Sequence, residues 1–173
     1  LCHAQEIVPR LYPRLLENPD YTRIINRHHY ERLVGLLEDA RRQCANIVEI
    51  NPAGENCNAE NRVFPPTLIT DTTPEMTVMQ EEIFGPILPV VTYRTLDEAT
   101  AYVNERPRPL ALYYFDRDSA RVNDVLSRTV SGGVTVNDVI FHIAQHNLPF
   151  GGVGPSGMGH YHGFDGFETF SKK

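Results

Sequence analysis

With 173 residues, 41% hydrophobic and 22% charged, the chain has the size and composition of one ordinary globular domain, which can bury a core without disulfide or metal staples. Its formal net charge of −6, with Lys and Arg scattered along the sequence, argues against nucleic acid as a partner, because phosphate binding needs a basic face. No apolar run reaches the length that spans a bilayer, and the N-terminal LCHAQEIVPR lacks the basic-then-apolar pattern of a signal peptide, so no membrane segment is expected.

Residue 1 is Leu, which suggests a trimmed chain. The three cysteines, Cys2, Cys44 and Cys57, are odd in number and fit no zinc spacing. Free thiols in a reducing cytoplasm are the expectation. None sits in a glycine-rich turn of the kind that presents a nucleophile.

Residues 1–16 read as helical with a break at Pro13, followed by a turn at 17–20 (ENPD). Asn26 can cap a helix to about Gln43, with Tyr30, Leu33, Val34, Leu37 and Ala40 on one apolar face. Residues 47–50 predict a short strand, and 51–61 (NPAGENCNAEN) a loop or hairpin. Residues 63–70 predict a strand interrupted by Pro65-Pro66, which suits an edge or an irregular start. A strand over 87–93 leads to Thr95-Leu96-Asp97-Glu98, a capping box that opens a helix to about Asn104. Residues 110–115 predict a strand. A helix then starts at 116–119, carries Val122, Val125 and Leu126, and ends at Gly132-Gly133 before a strand at 134–136. This alternation implies an α/β fold, an open and mainly parallel sheet with crossover helices in three layers. From 138 to 173 the periodicity fails, and a long aperiodic stretch in a compact domain is usually functional.

Three motifs could carry chemistry. Glu81-Glu82-Ile83-Phe84-Gly85-Pro86 can present a carboxylate and a ring into a cleft, a carboxylate being suited to a ribose diol; it also reads as a solvated acidic turn before a strand. Residues 152–157 match G-x-G-x-x-G, but Pro155 lies inside and no buried strand leads directly in, so the glycines read as permitting positive φ or close backbone approach. His142 and His146 stand at i, i+4 and His160 and His162 at i, i+2; no carboxylate or cysteine completes a metal set, so hydrogen-bonded structural histidines are the expectation and no metal is assigned. Ser156 lies outside any G-x-S-x-G elbow.

Taken together these segments are far more specific. EEIFGP resembles a signature of the C-terminal half of aldehyde dehydrogenases. VNERPRPLALYYFDRD, from Val103, and LPFGGVGPSGMGHYHGFDGFETFSKK, from Leu148, are similar to the class 3-like branch. LYPRLLENPDYTRIINRHHYERLVGLL, from Leu11, resembles the coniferyl aldehyde dehydrogenase group more closely still. The matching segments run in family order from Leu11 to Lys173.

The resemblance implies oxidation of an aldehyde to a carboxylic acid through a cysteine thiolate, with NAD or NADP taking the hydride. Glu82 would hold the nicotinamide-ribose hydroxyls, Phe84 would pack beside the nicotinamide, and Gly85 would allow the bend between them. Phe150 would line the aldehyde pocket. Residues 138–147 would form a loop at its entrance, with Ile140, Phe141 and Ile143 suited to an apolar or aromatic aldehyde. Asn137 would brace the strand end beneath the site. The family's nucleophile, base glutamate, oxyanion asparagine and cofactor domain would lie upstream, so no catalytic residue is assigned in this chain and Cys2, read as helical, does not inherit the nucleophile's role. Residues 1–150 would be the C-terminal portion of an incomplete catalytic domain, and 151–173 a tail leading toward an oligomerisation strand. The parent would be a cytoplasmic homo-oligomer, a dimer. A non-catalytic α/β binding module derived from the family is the alternative. Apolar surface bared by a missing cofactor domain would promote self-association.

Overall fold

The computed structural model describes residues 1–172. The chain divides into two compact units, the first ending at Thr92 and the second opening at Tyr93.

The first unit begins with α1 (Cys2–Leu11), which stops two residues short of Pro13 and closes with Tyr12 N–H donating to Val8 O at 2.8 Å. The longest helix is α2 (Arg27–Arg42). Its Asn26 cap accepts from His29 N–H at 2.9 Å, and Arg41 and Arg42 in the last turn complement the helix dipole. Tyr30, Leu33, Leu36, Leu37 and Ala40 form its buried face; Leu36 joins the expected set, and Val34 is only partly covered. That face packs into a core with Phe64, Ile69, Met76, Val78 and Ile87.

Beneath this helix lies a sheet of order β1-β2-β3: β1 (Asn46–Glu49), β2 (Thr67–Thr70) and β3 (Ile87–Pro89). The β1–β2 pair is antiparallel, from Asn46↔Thr70 to Glu49↔Thr67, and β2–β3 is parallel. The proline pair does not put β2 at an edge: β2 is the central strand. Pro65 and Pro66 precede it, so no amide is missing from its ladder, while Pro66 still accepts from Ile50 N–H at 2.8 Å. The third strand is shorter than its run of branched residues suggested, ending at Pro89, although Val90 N–H still donates to Ile69 O at 2.7 Å. A single 3-10 turn, Thr77–Met79, is fastened to α2 by Asp39, whose carboxylate accepts from Thr77 N–H at 2.8 Å.

In the second unit α3 (Leu96–Asn104) opens on Thr95, which accepts from Glu98 N–H at 3.2 Å. Glu98 reaches back one residue further than a standard box, to Arg94 N–H at 2.9 Å. The parallel pair β4 (Ala111–Tyr114) and β5 (Gly133–Val136) is bridged by α4 (Ser119–Arg128), whose cap Asp118 accepts from Ala120 and Arg121 N–H at 2.8 and 3.2 Å. The three strands read from the alternation therefore distribute over two sheets, β3 beside β2 and β4 beside β5. Gly132 and Gly133 do not end α4, which stops at Arg128; Gly132 precedes β5 and Gly133 opens it. Two helices occupy the stretch where periodicity failed, α5 (Phe141–Ala144) and α6 (Gly163–Phe170). Two glycines within GFDGFETF lower its helix propensity and hid the second of these.

Candidate functional site

The expected site residues divide between the two units. Glu82, Phe84 and Gly85 form the first group, between the 3-10 turn and β3. The Arg32 guanidinium, projecting from α2, donates to the carbonyl of Glu82 at 3.3 Å and also to that of Ile83. It lies 3.9 Å from the Glu81 carboxylate. On the other side of Phe84 the backbone belongs to the sheet: Pro86 O accepts from Thr67 N–H at 2.8 Å. Phe84 is the joint between these anchored stretches.

Phe84 has φ 49°, a left-handed conformation that costs a bulky residue roughly 1–2 kcal/mol. Its ring is 80% exposed. The positive φ falls on Phe84, and Gly85 answers a different need: a Cβ there would lie 2.5 and 2.7 Å from the δ carbons of Leu33, a core residue with no exposed surface. Strain at the aromatic and close packing at the glycine together turn the ring outward.

The ring borders a cleft of about 910 Å³ whose walls include Tyr12, Tyr21, Ile24, Ile25 and Pro86, with Asp20, Arg23 and His29 as its charged or ionisable members. Glu82 is not part of that lining. Tyr12 and Tyr21 meet edge to face at 5.2 Å. The Tyr21 hydroxyl donates to Phe64 O at 2.6 Å; burial, helped by Cys57 and Tyr12, pushes its pKa up, so it stays protonated.

Asn137, Phe141, Ile143 and Phe150 form the second group. Asn137 follows β5 with φ 59°, a conformation asparagine tolerates well. Its side-chain amide pairs twice with the Asp116 backbone, Oδ1 accepting from Asp116 N–H at 3.0 Å and Nδ2 donating to Asp116 O at 2.9 Å. That joins the ends of β4 and β5. The Asp116 carboxylate is gripped in turn by Arg121 through two bonds of 2.7 Å, by Asp118 N–H at 2.9 Å and by Tyr114 OH at 3.0 Å. The Arg121 bonds, then the Asp118 amide, hold it well below the usual carboxylate range.

Phe150 and Tyr161 exchange backbone hydrogen bonds of 2.8 and 2.9 Å at the base of the glycine-rich loop. No helix begins at Gly157, and α6 starts only at Gly163, so the G-x-G-x-x-G spelling builds a tight turn. There Ser156 Oγ accepts from Val153 N–H at 2.8 Å. The Phe150 ring meets Tyr161 edge-on at 5.5 Å, stacks on His162 at 5.8 Å and lies 5.8 Å from His142. Phe141 and Ile143 are exposed on α5.

Spacing in the sequence does not reveal Tyr161 as a neighbour of Phe150, nor Tyr113 and Thr135 as neighbours of His142; only the register of β4 on β5 brings Tyr113 opposite Thr135. His142, weighed as a possible metal ligand, bonds Thr135. Among the described residues no three His, Cys, Asp or Glu side chains converge as a metal site requires. Also among them, no helix is long and apolar enough to cross a membrane. Cys2 lies in α1 as expected, and Cys2 and Cys44 are exposed free thiols. Burial, with Glu55 and Glu49 nearby, pushes the Cys57 thiol up, which disfavours its thiolate.

Known proteins match this arrangement closely. The family model described as aldehyde dehydrogenase family matches residues 9–173. A probable coniferyl aldehyde dehydrogenase of Caulobacter vibrioides is 59% identical over 98% of this chain and 35% of its own length. The coniferyl aldehyde dehydrogenase of Pseudomonas sp. strain HR199 is 51% identical over 99% of this chain and 36% of its own. The chain thus spans about a third of the length of these curated relatives. The solved substrate-bound state of Staphylococcus aureus AldH superimposes with a TM-score of 0.84 at 44% identity, over 95% of this chain and 35% of that one. The open α/β fold with crossover helices is accordingly that of part of an aldehyde dehydrogenase catalytic domain. In sequence and in three dimensions alike, this chain belongs to the aldehyde dehydrogenase family.

Proposed function

We propose that the chain is the C-terminal part of the catalytic domain of an NAD(P)-dependent enzyme that oxidises an aromatic or long aliphatic aldehyde, such as a coniferyl-type aldehyde, to its carboxylic acid. Residues 1–150 contribute to that domain and 151–173 lead toward an oligomerisation strand; Lys173 lies outside the described residues. The enzyme works in the cytoplasm as a homo-oligomer, a dimer. The names of the relatives support the substrate class.

The observation that carries the reading is Phe84, a strained and outward-facing ring set between a segment held by Arg32 and a segment held by the sheet. The residues present suit a dinucleotide. Glu82 carries an exposed carboxylate able to accept two hydrogen bonds from a ribose diol. Phe84 offers an aromatic face beside it, already positioned, which limits where a planar ring can lie. NAD(P), when bound, supplies the hydride acceptor. Phe150, Phe141 and Ile143 give the aldehyde an apolar wall, and Asn137 keeps the strand end beneath that wall in place.

By itself this polypeptide does not turn over. Cys2 and Cys44 are exposed, and burial beside Glu55 and Glu49 disfavours the Cys57 thiolate.

The test is an assay of the full-length protein carrying this chain, with aromatic and aliphatic aldehydes and both NAD and NADP. Aldehyde-dependent cofactor reduction is expected. Glu82→Gln should raise KM for the cofactor roughly tenfold, as losing a charged hydrogen-bond partner does. Absence of activity with every aldehyde, or turnover by residues 1–173 alone, would overturn the proposal.

A further inference from the structure

We propose that Thr135 and His142 form a positioning lock that holds the aldehyde entrance in shape and so sets the preference for bulky aromatic substrates. This rests on reading Phe141, Ile143 and Phe150 as the aldehyde pocket.

The helix α5 is weak by itself. The helix is four residues long, and no side chain caps it. Its N-cap Ile140 sits at φ 67°, unfavourable for a β-branched residue. A helix of one turn does not hold itself together in water. A hydroxyl ties this one to the neighbouring strand. Thr135 Oγ1, on β5, accepts from the backbone N–H of His142 at 3.3 Å and lies 3.2 Å from Nδ1 of the same residue. The same hydroxyl thus holds both the main chain and the ring of His142.

The imidazole fixed in this way has three neighbours. It lies against Gly133, where a Cβ would come within 2.6 Å of His142 Cδ2. It also sits 5.7 Å from the Tyr113 ring and 5.8 Å from Phe150. One side chain thus ties the strand face, the Phe150 ring and the entrance helix together. Through the backbone of α5 it also keeps Ile140, Phe141 and Ile143 facing outward, all three of them exposed. A loose α5 would leave these groups without a fixed arrangement. A large aromatic aldehyde, which needs all of the wall, would suffer most, and a short aliphatic aldehyde least.

The experiment uses the full-length enzyme. Thr135→Val removes the hydroxyl and keeps the shape; Thr135→Ser keeps the hydroxyl. Both are assayed with cinnamaldehyde and with propanal, and amide exchange is followed over residues 140–144. Thr135→Val is expected to raise KM for cinnamaldehyde roughly three- to tenfold, the worth of one hydrogen bond, and to leave KM for propanal within about twofold. Exchange over 140–144 should accelerate, and Thr135→Ser should behave as wild type in both respects. An unchanged cinnamaldehyde KM, an equal rise for both aldehydes, or unchanged exchange in Thr135→Val would overturn the proposal. If the wild-type enzyme oxidises neither aldehyde, the proposed function falls, and amide exchange alone decides the lock.

Discussion

Replacing Gly132 by alanine should damage the second unit far more than the same change at Gly133. A Cβ at Gly132 would lie 2.2 Å from Gly151 O, 2.7 Å from Leu110 O and 3.0 Å from Gly152 Cα. Ordinary carbon–oxygen approach is about 3.3–3.6 Å, so the first overlap exceeds an ångström. All three obstacles are main chain, and two of them belong to the buried residues Gly151 and Gly152. Relief requires the segment beside Phe150 to move, or the bonds Gly132 N–H to Pro109 O and Gly133 N–H to Leu110 O, each 3.0 Å, to break. Overpacking of this kind costs about 1–3 kcal/mol, and a broken hydrogen bond adds about 1 kcal/mol. A loss of about 3 kcal/mol is expected. At Gly133 the obstacle is the His142 imidazole at 2.6 Å, which can swing aside for about 1 kcal/mol by giving up Thr135. Where no clash exists, Gly→Ala stabilises by about 0.4–1 kcal/mol through the unfolded chain, so destabilisation itself is diagnostic. Urea unfolding followed by tyrosine fluorescence measures both variants, helped by the absence of tryptophan. A Gly132→Ala variant within 0.5 kcal/mol of wild type, or a Gly133→Ala variant that is the worse of the two, would refute the reasoning.

Three further predictions concern other parts of the molecule. Gly85→Ala should cost about 1–3 kcal/mol by pressing on Leu33, and most of that cost should vanish in a Leu33→Ala background, which by itself loses about 2–5 kcal/mol; a double-mutant cycle in urea measures the coupling. Phe84→Gly should raise stability by about 1 kcal/mol, by relieving the left-handed aromatic, while raising KM for the cofactor; thermal unfolding beside steady-state kinetics reads both signs. The Asp116 carboxylate has a lowered folded pKa, so its contribution is complete above the ordinary carboxylate range and disappears as pH falls through the lowered value; Asp116→Asn should flatten that part of the acid-unfolding curve and destabilise the chain at pH 7.

Local chemistry made much of the fold legible. Asn26 and Thr95 are capping residues whose bonds reach only three residues along the chain, and both caps stand where the sequence placed them. The apolar face of α2 follows from spacing alone, apart from Leu36, which widens it. What the sequence hid was long-range. Pro65-Pro66 looked like an edge signal because a missing amide matters only inside a ladder, and both prolines lie just outside one. The pair Gly132-Gly133 looked like a helix stop, yet its purpose is clearance for a loop and an imidazole up to 20 residues further along. The candidate site divides in the same way. Glu82, Phe84 and Gly85 are consecutive enough to stand out as a motif, whereas Phe150 meets His142 of α5 and Tyr161 and His162 beyond the glycine-rich loop, His142 in turn meets Tyr113 of β4 and Thr135 of β5, and only tertiary structure assembles these contacts.

The two anchorages flanking Phe84 have a mechanical consequence. Residues 82–83 ride with α2 through Arg32, while Pro86 rides with β2. Any slide of helix over sheet must therefore be absorbed across a few backbone torsions, and the aromatic sits on the most constrained of them. The ring acts as the pointer of a gauge. A fluorine label at position 84 should report, through its NMR line position and width, changes in core packing that no residue inside the core makes visible from outside.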